Sequence, residues 1–236
     1  MKLRLVEIEL HSYCNRRCVW CPNSFIDRRS EKKVMSEGLF IKILQGLSIL
    51  NYKGYISLSR YNEPLSTPEL LTERISQIRE HLPECTIVCN TNGDYPWSGF
   101  DIDELTVMDY NHTKEDVIGE KVRITKLKII NNRGGALNIK TPPRTEPCYE
   151  PTYFIGINYD GTVSPCCNIR NDIEKHKPYI FGDLNKQSLS EILNSQKRKD
   201  FINQLFLKQF PDICKNCSKG AGRYTRDQPS IGGDMS

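Results

Sequence analysis

Three cysteines within eight residues, Cys14, Cys18 and Cys21, limit what this chain can become more than any other stretch. Their spacing is C-x3-C-x2-C. They follow a segment, Leu3 to Leu10, in which Val6, Ile8 and Leu10 alternate with Leu5, Glu7 and Glu9, the period of a β-strand. So short a loop wraps its thiols around one centre from three sides. Structural zinc takes four ligands and usually draws them from paired knuckles. Three clustered thiolates with no nearby fourth suit an iron–sulfur cluster better, with one iron left open for chemistry.

The chain has ten cysteines in 236 residues. Met1-Lys2-Leu3-Arg4 runs straight into strand pattern, so no signal peptide is expected. Cysteines in a reducing, cytoplasmic compartment bind metal more often than they form disulfides. Seven of the ten stand in ligand spacing. Cys85 and Cys89 lie near a predicted strand and read as small buried residues, and Cys167 is a spare thiol beside Cys166. The net charge of +4 is spread along the chain, which argues against a nucleic-acid patch. No run of about 18 apolar residues suggests a membrane span.

Beyond the cysteine loop the pattern alternates. Ser36 reads as the N-cap of a helix to about Leu50, with Leu39, Phe40, Ile43, Leu44 and Leu47 as its apolar stripe. Strands are expected over 54–60, 85–90, 104–109 and 122–130, and a second helix opens at Thr67-Pro68. Such alternation argues for an α/β fold built on a parallel sheet curved into a partial (β/α) barrel. In those folds functional groups gather at the carboxyl ends of strands. The cysteine loop, Tyr61-Asn62-Glu63-Pro64, Thr91-Asn92-Gly93-Asp94, Asp109 to His112 and Asn131-Asn132-Arg133-Gly134-Gly135 all stand at such ends. With the apolar set of strand one turned to the helices, Glu7 and Glu9 point inward. Glu9, nearest the cysteine loop, is the candidate to touch substrate or a residue holding it. His112 is a loop histidine able to accept a proton.

In the last third, segments 153–159 and 162–164 flank Asp160-Gly161, a hairpin signal. Cys148, Cys166, Cys214 and Cys217 supply four thiolates, enough to close a second cluster or a zinc site. One long amphipathic helix is expected from about Ser190 to Phe210.

The first three cysteines, with Tyr61 to Pro64 and Thr91 to Gly93, resemble the radical S-adenosylmethionine (SAM) superfamily. The last four, with Phe181-Gly182-Asp183-Leu184 and Ser188 to Ile192, resemble the Twitch domain, a shortened SPASM domain carrying an auxiliary cluster. The resemblance implies a radical SAM core over 1–140, a Twitch domain of hairpin plus helix over 141–227 and a disordered tail over 228–236. It implies two [4Fe-4S] clusters and SAM, with Cys14, Cys18 and Cys21 on the SAM-binding cluster and Cys148, Cys166, Cys214 and Cys217 on the auxiliary one. Trp20, Tyr61, Asn62, Glu63, Pro64, Thr91 and Asn92 become expected SAM contacts. Asn62 stands where this family usually has glycine. End to end, the motifs are most similar to the small Twitch-containing dehydrogenases of the superfamily, which oxidise a secondary alcohol. That similarity gives Arg133 a substrate role, as a cation for the reacting oxygen and not as a base, since arginine stays protonated. Asn168 stands where those dehydrogenases have an acidic residue near the substrate amine. The expected function is oxidation of a hydroxyl-bearing small molecule, with an external one-electron donor such as flavodoxin or ferredoxin. Modification of a ribosomally made peptide and a non-catalytic metal-binding module are the alternatives.

Overall fold

The computed structural model describes residues 3–110, 117–118, 121–126 and 131–217. Asn111, His112, the end of the fifth expected strand at 127–130 and the tail over 228–236 lie outside the described residues.

The helix after the cysteine loop forms as its pattern requires. α1 spans Glu37–Ile49, and the Ser36 hydroxyl accepts from the Leu39 amide at 3.3 Å. Its buried side chains are Leu39, Phe40, Ile43, Leu44 and Leu47, the stripe read from the 3.6-residue period. α2 spans Pro68–His81 with proline in its first turn. Thr67 precedes it but makes no side-chain cap; its hydroxyl reaches back to the Pro64 carbonyl at 3.5 Å.

Nine strands form one sheet: β1 (Leu5–Ile8), β2 (Tyr55–Ser57), β3 (Thr86–Thr91), β4 (Glu104–Met108), β5 (Val117–Ile118), β6 (Val122–Thr125), β7 (Phe154–Ile157), β8 (Thr162–Ser164) and β9 (Gly182–Asp183), among the described residues. The order is β5-β6-β4-β3-β2-β1-β7-β8-β9. The strands from β6 to β7 run parallel, and β5, β8 and β9 are added antiparallel at the two edges. The register aligns Ile87, Ile56, Val6 and Ile155 across four neighbouring strands, and all four are fully buried. This row is the floor on which α1 and α2 pack. The expected hairpin is present as β7 and β8, with Gly161 at φ +88° in its turn. It does not stand apart, because β7 pairs with β1 and so continues the sheet.

The single long helix expected from Ser190 to Phe210 is two helices. α4 spans Leu189–Asn194 and α5 spans Gln196–Phe206, after the short α3 at Glu150–Tyr153. Ser195 takes an extended conformation (ψ 147°) and its hydroxyl caps α5 by accepting from the Arg198 amide at 3.2 Å. A capping box of Ser188 and Glu191 starts α4. No helix among the described residues is long and apolar enough to cross a membrane.

Candidate active site

The strand carboxyl ends open into one cleft that encloses about 1110 Å³ free of protein atoms, part of it open to solvent. Cys14, Cys18 and Cys21 all line it. Their loop is tied down by backbone bonds, Ser12 N–H to the Lys33 carbonyl at 2.8 Å and Cys14 N–H to the Arg28 carbonyl at 3.1 Å. It is also clamped from the turn after β3: the Asp94 carboxylate accepts from Asn15 Nδ2 and Arg16 Nε, each at 2.7 Å. Burial pushes the Cys14 thiol up to about 12, and Glu63 and the other two thiols add to that. Cys18 is raised by burial first and then by Cys21. Such thiolates need an added positive charge, and iron supplies one. Among the described residues no group of three His, Cys, Asp or Glu side chains is placed to hold a metal ion. Three cysteines of one loop lining the cleft are the donor set that an iron–sulfur cluster with one open iron takes.

Glu63 organises the cofactor side of the cleft. Its carboxylate accepts from the Thr91 hydroxyl at 2.7 Å, the Asn92 amide at 2.8 Å and the Leu65 amide at 3.1 Å. Burial raises its pKa, and these three donors pull the other way. Asn92 Nδ2 in turn donates to Asn15 Oδ1 at 2.8 Å, which joins β3's end to the cysteine loop. Tyr61, Asn62, Glu63, Thr91 and Asn92 line the cleft, while Pro64 is buried behind it at the start of a short 3-10 turn. Asn62 is not among the residues with positive φ, so it does not imitate glycine. Its Oδ1 accepts from the Arg60 amide at 3.0 Å and closes the turn by side chain instead. Trp20 lines the cleft with its ring centre 5.5 Å from that of Tyr110, at the mouth of β4.

Arg133 lies on the other side. It is buried, with φ +49°, between Asn131, whose Oδ1 accepts its amide at 2.8 Å, and Gly134 and Gly135, both at positive φ. Arg60 also lines the cleft. It pairs with Glu7 at 3.3 Å and donates to the Ile169 carbonyl at 2.9 Å. It passes so close to Gly156 that a Cβ there would lie 1.5 Å from its Nη1.

Glu9 corrects an expectation. It is fully buried and does not line the cleft. Its carboxylate accepts from Arg28 at 2.9 Å, and Arg28 also reaches the Ser12 carbonyl at 3.0 Å and Asp172 at 2.8 Å. A buried carboxylate beside a buried guanidinium takes the pairing first. Glu9 thus holds the cysteine loop, and Glu7, two residues earlier on the same strand face, is the carboxylate that meets the cavity.

The four C-terminal cysteines converge. Burial, then Cys167, and then Cys217, Cys214 and Cys148 raise the Cys166 thiol strongly. Burial pushes Cys148 up to about 12, with Arg144 opposing. Cys167 lines the cleft, which Cys166 does not. Cys85 and Cys89 are core residues, 4% and 1% exposed.

Tyr110, Arg60, Asn23, Glu150 and Cys167 line the cleft without having been singled out as site residues. Tyr110 follows Asp109 at the end of β4, so the strand-end rule would have reached it. Asn23 belongs to Cys21-Pro22-Asn23-Ser24, the continuation of the cysteine motif, whereas Glu150 carries no local signal.

Residues 148–218 match the SPASM family, described as an iron–sulfur cluster-binding domain. The chain is 27% identical over 237 residues to the S-adenosyl-L-methionine-dependent 2-deoxy-scyllo-inosamine dehydrogenase of Niallia circulans, covering 91% of this chain and 92% of that protein. A crystal structure of BtrN in complex with AdoMet and 2-DOIA superposes with a TM-score of 0.77 at 27% identity, covering 92% of this chain and 94% of the other. The fold is shared further with anSMEcpe bound to AdoMet, at a TM-score of 0.59 and 13% identity over 95% of this chain and 88% of the other. The resemblance to radical SAM enzymes with an iron–sulfur C-terminal domain thus extends over nearly the whole chain.

Proposed function

We propose, from the premise of that end-to-end similarity, that the protein is a radical SAM oxidoreductase that oxidises a secondary alcohol of a small polyhydroxylated molecule to a ketone. The observation that carries this reading is the convergence of Cys14, Cys18, Cys21, Glu63 and Arg133 on one cleft. The relative's name, a dehydrogenase of 2-deoxy-scyllo-inosamine, points to the same class.

Cys14, Cys18 and Cys21 would hold a [4Fe-4S] cluster with SAM on its open iron, and Cys148, Cys166, Cys214 and Cys217 would close an auxiliary cluster. When bound, these groups supply a 5′-deoxyadenosyl radical that takes a hydrogen atom from carbon, and an acceptor for the one electron the substrate must still lose. The chain's own residues do the rest. Glu63 fixes the β3 end, so that Thr91 and Asn92 present a set surface to the methionyl part. Trp20 and Tyr110 offer aromatic faces to the adenine. Arg133 places a permanent cation for the reacting oxygen, where charge grows as the hydroxyl proton leaves. Glu7, held by Arg60, and Glu150, held by the Tyr153 hydroxyl, are further carboxylates lining the cavity, and one of them would receive that proton.

Two functional regions, 1–140 for radical generation and 141–227 for electron acceptance, share the one sheet. The many thiols suit a reducing compartment such as the cytoplasm, and a flavodoxin- or ferredoxin-type donor would supply the starting electron. No observation favours the peptide-modifying reading.

Anaerobic reconstitution tests the proposal. About eight irons per chain are expected. With reductant and SAM, 5′-deoxyadenosine should form together with a substrate lighter by two hydrogens. Zinc in place of iron, or no SAM cleavage under reductant, would overturn it.

A further inference from the structure

Asn168 stands between the two halves of the chemistry. It is 1% exposed. Its Oδ1 lies 3.4 Å from Arg133 Nη1 and accepts from the Cys167 thiol at 3.9 Å, while its Nδ2 donates to the Cys217 sulfur at 3.4 Å. The orientation of the amide is dictated by chemistry. A guanidinium only donates, so the carbonyl must face Arg133 and the NH2 must face the sulfur.

We propose that Asn168 is a positioning residue that joins the substrate side of the cleft to the auxiliary site and makes a cluster held there easier to reduce. The inference rests on the reading of Cys217 as an auxiliary-cluster ligand and Arg133 as the cation for the substrate oxygen. A ligating thiolate carries negative charge, which grows when its cluster gains an electron. An N–H aimed at that sulfur stabilises the reduced form more than the oxidised form, and hydrogen bonds to cluster sulfurs are among the levers on potential. A carboxylate at this position would act oppositely twice. It has no proton to give the sulfur, and its charge opposes the arriving electron. It would also take Arg133 into an ion pair and reduce the positive charge offered to the substrate oxygen. The neutral amide holds Arg133 in place and leaves its charge available. One side chain thus serves both the oxygen that loses a proton and the site that receives the electron.

The test uses the full chain carrying Cys14→Ala, Cys18→Ala and Cys21→Ala, so that after anaerobic reconstitution only the auxiliary cluster contributes. Its midpoint is read by redox titration followed by electron paramagnetic resonance, with Asn168 intact and as Asn168→Asp and Asn168→Leu. The midpoint should move to more negative potential in both variants, further in Asn168→Asp. Asparagine labelled with ¹⁵N at its side-chain amide should give a nitrogen coupling to the reduced cluster when Asn168 is intact, and this coupling should vanish in Asn168→Leu. Unmoved midpoints, or no such coupling in the chain with Asn168 intact, overturn the proposal. The coupling decides the matter even where a variant fails to hold its cluster. Failure of the chain with Asn168 intact to assemble any cluster would instead count against the auxiliary-cluster reading itself.

Discussion

The guanidinium carbon of Arg170 lies 4.0 Å from the centre of the Tyr61 ring. Arg170 belongs to the C-terminal region and Tyr61 to the turn after β2, so this stack clasps the two parts of the protein. Arg170 is fully buried and also donates to Asn23 at 2.9 Å and to Asp172 at 2.7 Å. Asn23 in turn donates to the Tyr61 carbonyl at 2.9 Å, closing a ring around the cysteine loop.

Replacing Arg170 by Leu should therefore destabilise the fold. It removes one of the two guanidinium partners of Asp172, the stack on Tyr61 and the bond to Asn23, which together cost about 3 kcal/mol. For a chain of this size that lowers the melting temperature by roughly 6–12 °C. Thermal unfolding of anaerobically prepared protein measures it, and an unchanged melting temperature would show that the clasp contributes nothing.

Glu63→Gln should weaken SAM binding. The substitution keeps the side chain's shape but weakens charge-assisted bonds to Thr91 and Asn92. Hydrogen bonds to charged groups are each worth about 1.5–3 kcal/mol, so a loss of roughly ten- to a hundredfold in SAM affinity is expected. Equilibrium binding to the reconstituted enzyme reads it directly.

Cys166 and Cys167 should behave differently although they are neighbours. Cys166→Ala should reduce the iron content from about eight to about four per chain, since one cubane loses a ligand. Cys167→Ala should leave the iron unchanged, because that thiol lines the cleft. Equal iron loss in both variants would move Cys167 into the ligand set.

Arg133→Ala should lower product formation by about a hundredfold or more, the usual cost of removing a preorganised charge from a developing oxyanion. Reductive SAM cleavage should persist, since the residue acts on the substrate. Product release that kept pace with the unsubstituted enzyme would remove Arg133 from the mechanism.

Acid should destabilise the protein through His11. Burial first, and then Lys32 and Arg28, lower its pKa to about 4. The unfolded chain takes up this proton near pH 6.5, while the folded chain refuses it until about pH 4. The stability contribution is therefore complete above about pH 6.5 and is lost progressively as the pH falls towards 4, by about 1.4 kcal/mol per unit inside that window. Urea midpoints between pH 7.5 and 5.5 should show the slope, and His11→Gln should flatten it.

Much of the scaffold was legible because its signals are local. The five buried residues of α1 follow from a 3.6-residue period, and Ser36 from the hydrogen bonding of a helix end. The β7–β8 hairpin follows from Asp160-Gly161, since a turn must supply positive φ. Ser195 was harder to read. Inside an amphipathic pattern, a serine on the polar face looks like any other polar residue, and only its extended backbone shows that it ends one helix and caps the next.

The candidate site divides in the same way. Glu7 and Glu9 share one strand face, and the alternation cannot say which of them meets the cavity. The choice was made by burial: Arg28, itself held by Asp172, pairs with Glu9 in the interior, while Glu7 pairs with Arg60 at the cavity wall. Asn62 was legible as a departure from glycine, but its remedy, a side-chain bond to the Arg60 amide, is set by how the folded turn orients that side chain.

The sequence by itself determined the thiol sets and the periodicities that make strands and helices, because covalent spacing and hydrogen-bonding range act over a few residues. Only the tertiary structure decided which strand ends share a cleft, which of two adjacent thiols faces it, and that Asn168 bridges Arg133 and Cys217. Those facts depend on the register of parallel strands that pair across long separations, and no local pattern encodes a distance between residues that meet only after the sheet has closed.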